Sequence, residues 1–307
     1  MANKKHEESE DSTFLARSKG AKIFGWVSLG IICIITLFPI YWMLRTGLSN
    51  SKLLFENPSS LLPSHFTLGG FQRALGLATT EQAIAEGGSG GSINFGLSFL
   101  NSVLLSTVVT VFQTAFSAAA AYAFSILKWR GRDSIFFVFI IALTVPGIFI
   151  LIPNFLLIRD LGLINTLAGI ALPQLLMSPF AVFFLRQFFL GTNLSIIEAA
   201  VIDGANHFRI FWRIVAPLAV PQIVTLGILQ FIASWNDYLW PFYIGSGDPK
   251  STVLTVALGV FKAQTPQGSP DWAGLMSGAL IAAIPMVLLM IFFGRRIVGS
   301  IQASGVK

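Results

Sequence analysis

Apolar residues run along this chain in long blocks, with the polar residues gathered between them. Six blocks, roughly 23–44, 97–127, 135–158, 167–190, 222–244 and 274–293, are long enough as helices to cross about 30 Å of hydrocarbon at about 1.5 Å per residue. The second is longer than a crossing needs, so its N-terminal part lies in the interface or the helix tilts. No small-residue cleavage site follows the first block, so the charged head 1–22 reads as a tail and not as a removed signal. The pattern predicts an all-α polytopic membrane protein with six transmembrane helices.

Composition agrees with the pattern: 54% of the 307 residues are hydrophobic and only 11% charged, against about 25% charged in a soluble domain. The net charge of +6 sits at block ends and forms no basic stripe interleaved with aromatics, which argues against a nucleic-acid partner. Placing both termini in the cytosol leaves only Arg45, Lys52, Arg73, Arg159, Lys250 and Lys262 outside, six of the 20 Lys and Arg. The other fourteen lie inside, which the positive-inside rule favours. A cytosolic tail 1–22 then precedes a transmembrane domain 23–307 with a long outer loop 45–96. Within that loop "AEGGSGGS" (85–92) reads as a flexible tether, either a partner-facing surface or a spacer.

Several chemistries drop out. The single Cys33 excludes an internal disulfide, and His6, His65 and His207 show no ligand spacing, so neither a metal nor a cofactor is expected. "GSGDPKST" (245–252) lacks the Gly before Lys that a phosphate loop needs, and it falls on the outer side. Blocks 23–44, 97–127, 135–158 and 274–293 contain no Asp, Glu, Lys or Arg. An ion- or proton-coupled secondary carrier, the alternative class, needs such groups at membrane depth. No Ser/His/Asp or metal constellation supports an intramembrane enzyme. Any energy for pumping comes from outside the bilayer.

The polar segment 191–221 stands out against this background. Ser195 and Glu198 fit a capping box that starts a helix. Ile197, Val201, Gly204 and Phe208 recur at helical spacing, and Phe211 and Val215 continue the stripe. Ala199, Ala200, Gly204 and Ala205 are small enough for another chain's groove to approach closely. Gly204 also weakens the helix by about 1 kcal/mol and permits a bend, and Pro217 and Pro221 end the segment. Two readings stay open on the pattern alone: an interfacial helix with its stripe in lipid, or a helix lodged in a partner's groove.

At these residues the chain resembles the integral membrane permeases of binding-protein-dependent ATP-binding-cassette (ABC) importers. Their signature is E-A-A, three residues, G, nine residues, then I-x-L-P. Glu198, Ala199, Ala200, Gly204, Ile214 and Pro217 match in register, Asp203 and Ala205 give the common D-G-A form, and Ala216 replaces the usual Leu. The usual Pro before the motif is missing, and "TNLS" (192–195) supplies the cap in its place. "AYAF" (121–124), "GLINT" (162–166), "FFLRQFF" (183–189), "SWNDYLWP" (234–241) and "QASGVK" (302–307) resemble the carbohydrate branch, the MalG-like permeases.

The resemblance implies a type I ABC importer permease fold that forms half of a pore and performs no catalysis itself. It further implies a second homologous permease subunit, two cytosolic ATPase subunits that hydrolyse ATP, an extracytoplasmic sugar-binding protein and a sugar substrate. Glu198, Ala199, Ala200, Asp203, Gly204, Ala205 and Phe208 would form the helix that couples to the ATPases, with Glu198 as cap or ion-pair partner and Gly204 for close approach. Trp235, Asn236, Asp237 and Tyr238, with Trp240, form a polar-aromatic cluster suited to a sugar path. An interfacial aromatic belt is the competing reading. "WRGRD" (129–133) reads as a positive-inside anchor, and Pro146 and Pro153 as kinks in the third block.

Overall fold

A computed structural model describes residues 19–88, 90–91, 93–262 and 269–305. Most of the predicted tail 1–22, namely 1–18, and the final Val306 and Lys307 lie outside the described residues. Regular structure among the described residues is helical, apart from one isolated antiparallel bridge between Ser49 and Phe66.

The first block forms α1 (Lys19–Gly47), apolar all round, which packs on the last helix. Two short helices follow, α2 (Gly69–Ala74) and α3 (Thr80–Ala85). The second block forms the 31-residue α4 (Phe95–Ser125), started by Asn94, whose side chain accepts from the Leu97 amide at 3.1 Å. One face of α4 buries Ser98, Ser102, Ser106, Ser117, Ala118 and Ala121, and the helix packs along α8 (Pro179–Leu190) and α12 (Val220–Asn236). Small residues on that face let the helix backbones come close, which is how helices pack where no hydrophobic drive exists between them. After the short α14 (Leu254–Ala257), the last block forms α15 (Trp272–Gly305).

Three helices are long and apolar enough to span unbroken, over 20–47, 95–125 and 272–294, and three further spans are bent pairs, giving up to six. Block 135–158 is not a single kinked helix. It splits into α5 (Arg132–Ala142) and α6 (Gly147–Asp160), turned by 100°. Pro146 is the N-cap of α6, where it loses no intrahelical bond, whereas Pro153 lies inside α6 without ending it. Block 167–190 bends by 43° between α7 (Leu167–Ala171), with its 3₁₀ extension Leu172–Gln174, and α8. Block 222–244 ends its first helix at Asn236, and after an extended Asp237 the chain re-enters helix as α13 (Leu239–Gly245). Where α5 begins, Asp133 takes bonds from Arg132 at 3.1 Å and from Arg186 of α8 at 3.3 Å.

The tether expected at 85–92 is packed at Gly87 and Gly88 instead, while its Ser89 and Ser92 lie outside the described residues. Gly87 and Gly88 are buried, and a Cβ on Gly88 would lie 2.7 Å from Arg73 Cδ and 2.8 Å from an Asp271 oxygen. The glycines are there to let the chain close over an ion pair. Arg73 donates to both Asp271 oxygens, at 2.7 and 3.0 Å, to Glu86 at 2.8 Å and to Ser51 at 2.9 Å. Asp271 also accepts from the Gly274 amide at 2.9 Å, so the same carboxylate caps the first turn of α15. The segment 45–96 is thereby pinned to the start of the last helix.

Candidate functional site

Segment 191–221 is a chain of short helical pieces. The first, α9, runs Leu194–Ile202 and is capped by Asn193, whose side chain accepts from the Ser195 amide at 3.1 Å and the Ser195 hydroxyl at 2.9 Å. The expected Ser195–Glu198 box is therefore corrected: Asn193 starts the helix, and Ser195 falls in its first turn. The helix stops at Gly204, with φ +78°, in a Schellman arrangement: the Gly204 amide donates to Val201 O at 3.0 Å and the Ala205 amide to Ala200 O at 2.9 Å. A Cβ on Gly204 would meet nothing within 4 Å of this chain. Within this chain its requirement is a left-handed backbone, and the open space around it leaves room for the approach of another chain.

Asn206 then caps α10 (His207–Ile210), accepting from the Arg209 amide at 2.9 Å. A π-turn over Phe211–Val215 leads into α11 (Ala216–Leu218), and an 80° bend follows before α12. Pro217 and Pro221 do not end the segment. Each sits in the first turn of a helix, where a missing amide costs nothing.

Because the chain breaks at Gly204, the predicted stripe divides. Ile197, Ile210, Phe211 and Val215 enter a core with Ala118, Ala121 and Tyr122 of α4 and Ala181, Val182, Leu185 and Phe189 of α8. Val201 and Phe208, expected on the same stripe, face outward. Exposure reaches 86% at Ile202 and 73% at Phe208, with Leu194, Ile196 and Trp212 also exposed. Of the motif residues, Glu198, Ala199, Asp203, Gly204 and Phe208 are exposed, while Ala200 and Ala205 are half-buried against the core. The result is a knuckle anchored by one face and apolar on the other. Tyr122 and His207, eighty-five residues apart with no sequence signal linking them, meet here at 3.2 Å.

The polar-aromatic quartet disperses. Trp235 is 3% exposed, donates to Ala282 O at 3.1 Å and packs on Phe99 and Phe231, so it belongs to the core and not to a path. Asn236 is exposed and donates back to Ile232 O at 2.9 Å. Tyr238 stacks on Phe242, with Lys262 5.0 Å above its ring, and lines a cavity of ≈ 500 Å³. Asp237 faces a different cavity of ≈ 380 Å³ at the α5–α6 bend, together with Asn154, Gln174 and Trp240. The backbone of Tyr238, Leu239 and Trp240 and the Gln174 side chain lie beside its carboxylate. Asn154 and Gln174 come from elements far away in sequence and carry no motif, so the reading of residues alone missed them. Among the described residues no three His, Cys, Asp or Glu converge as a metal site would require.

Comparison with known proteins adds to this geometry. Residues 113–303 match the family model described as "Binding-protein-dependent transport system inner membrane component". The arabinooligosaccharides transport system permease protein AraQ of Halalkalibacterium halodurans is 30% identical over 95% of this chain and 99% of its own length. The sn-glycerol-3-phosphate transport system permease protein UgpE of Yersinia pestis is 30% identical over 90% of this chain and 94% of its own. A crystal structure of a bacterial ABC transporter involved in import of the acidic polysaccharide alginate superposes with a TM-score of 0.71 at 23% identity, covering 91% of this chain and 98% of that one.

Proposed function

Since the chain belongs to the family of binding-protein-dependent transport system inner membrane components, we propose that it is the half-pore permease of an ATP-driven sugar importer and couples to its ATPases through the knuckle 194–212. Both termini lie in the cytosol, and the pore is completed by a second permease subunit. Two ATPase subunits dock from the cytosol, and an extracytoplasmic binding protein delivers sugar. The single observation that carries this reading is the knuckle itself: apolar side chains at Ile202 of α9 and Phe208 of α10 project outward from two short helices whose Ile197 and Ile210 are locked into the core. A surface helix free on one face, with small residues at Ala199 and Gly204, fits the helix-in-groove mode of recognition.

Coupling follows from rigidity. Closure of the ATPase dimer moves its grooves, the docked α9 moves with them, and Ile197 with Phe211 carries the shift into α4 and α8. Within the membrane, Asp237, Asn154, Gln174 and Trp240 provide the hydrogen-bonding groups and flat face that suit a sugar. The relatives handle substrates as different as an arabinose oligosaccharide and a phosphorylated glycerol. The sugar class is read from the AraQ side of that range together with the cationless lining of the Asp237 cavity.

The test is retention of an ATPase on the affinity-purified chain. Ile202→Glu and Phe208→Glu each place a charge where a desolvated contact forms, and loss of such an anchor is worth about 2 kcal/mol or more, roughly thirtyfold in affinity. Both variants should lose the ATPase and keep the second permease. Undiminished ATPase retention in both would sink the assignment.

A further inference from the structure

The contacts that hold the knuckle to the membrane core are almost all apolar, and apolar contacts slide. One contact is directional. The Tyr122 hydroxyl, near the end of α4, lies 3.2 Å from Nδ1 of His207, the first residue of α10. With the imidazole proton on Nε2, the hydroxyl donates and Nδ1 accepts. Tyr122 is buried while His207 is exposed, so the bond reaches from core to surface. The Tyr122 ring also packs on Phe211, centroids 5.3 Å apart, four residues beyond His207 and the first of the π-turn. One side chain of α4 thus grips two successive turns just beyond the Gly204 break. π-Turns interrupt the regular helix and mark places where a helix can change register.

We propose that the Tyr122–His207 hydrogen bond is the strut that passes motion of the knuckle to α4, making both side chains positioning residues of the transport cycle. This rests on the coupling role given to segment 194–212. The mechanics are simple. A push on α9 rotates the pieces beyond Gly204 about the glycine. The apolar core alone lets Phe211 roll against α4. The hydrogen bond fixes the angle between α10 and α4, so the rotation becomes a displacement of the long helix, and α4 packs along both α8 and α12.

The test uses the assembled complex with its ATPases and second permease. The chain carries Cys33→Ser, removing its only cysteine, and Leu100→Cys, exposed near the far end of α4, bears an environment-sensitive fluorophore. The probe is MgATP with vanadate, and the readouts are the emission shift and the ATPase rate. Tyr122→Phe and His207→Ala should each cut the shift at least about threefold, the scale of one hydrogen bond, and the core variant Tyr122→Phe should do so at unchanged ATPase rate and complex yield. The double variant should lose no more than either single one. His207→Asn, whose amide oxygen occupies the place of Nδ1, should restore the shift. An undiminished shift in the single variants, or additive losses in the double, would overturn the proposal. His207→Ala is a surface change, so it remains informative even where Tyr122→Phe lowers yield. A complex that keeps its ATPase yet shows no shift with the unsubstituted chain overturns the strut alone, whereas loss of the ATPase itself would bring down the coupling reading.

Discussion

At Gly204 the backbone is left-handed and the space around the missing side chain is open. A substitution there meets strain without a clash, about 1–2 kcal/mol for most L-residues and more when β-branched. Asn and Asp are tolerated best in that conformation. Gly204→Val is therefore expected to unfold the end of α9 and abolish ATP-dependent uptake in proteoliposomes, while Gly204→Asn retains a substantial part. Equal loss in both would shift the requirement from backbone to space, back to the close approach first read from the small residues. At Asn193 the sequence offered two cap candidates within three positions. Both Asn193 and Ser195 carry an oxygen able to accept an N-terminal amide, and nothing local separates them. What decides is where the chain turns after α8, and Asn193 stands there, bonded to both the amide and the hydroxyl of Ser195.

Among the elements, the helices were legible as apolar blocks and the break at Gly204 as a bend, while the other breaks were not. Pro146 and Pro153 looked alike, yet one caps a helix and the other rides inside it, because the effect of a proline depends on whether its missing amide had a partner to lose. The break after Asn236 has no proline at all. Asp237 makes it, by an extended backbone that sets its carboxylate beside the amides of Tyr238, Leu239 and Trp240 at the start of α13. Asp237→Asn keeps an acceptor for those amides and removes the charge facing the cavity, whereas Asp237→Ala removes both. If the cavity handles substrate, uptake by Asp237→Asn falls with the helix intact; an aromatic belt predicts unchanged uptake in that variant. The Arg73–Asp271 pair was equally invisible, since its partners lie 198 residues apart. Both are buried, so Asp271→Ala leaves Arg73 with only Glu86 and Ser51, at a cost of about 3 kcal/mol. A lowered thermal unfolding midpoint of the purified chain checks this, and Arg73→Met with Asp271→Leu should recover part of the loss.

For the whole molecule, charge is the argument for the proposed direction across the membrane. A Lys or Arg is costly to translocate on a short loop, and the six-span threading puts only six of the 20 on one side. Every step of the coupling account depends on that threading, because the knuckle can meet an ATPase only from the cytosol. Two exposed positions lie on opposite sides of it: Glu56, in the segment pinned by Arg73 and Asp271, and Arg130, between α4 and α5. In a Cys33→Ser chain, a membrane-impermeant maleimide should label Glu56→Cys in intact spheroplasts and leave Arg130→Cys untouched. In inverted membrane vesicles the pattern should reverse. Labelling of both from one side would mean that α4, the one crossing between them, does not span the membrane. The knuckle, two crossings beyond Arg130 and so on the same side as it, would then face away from any source of ATP.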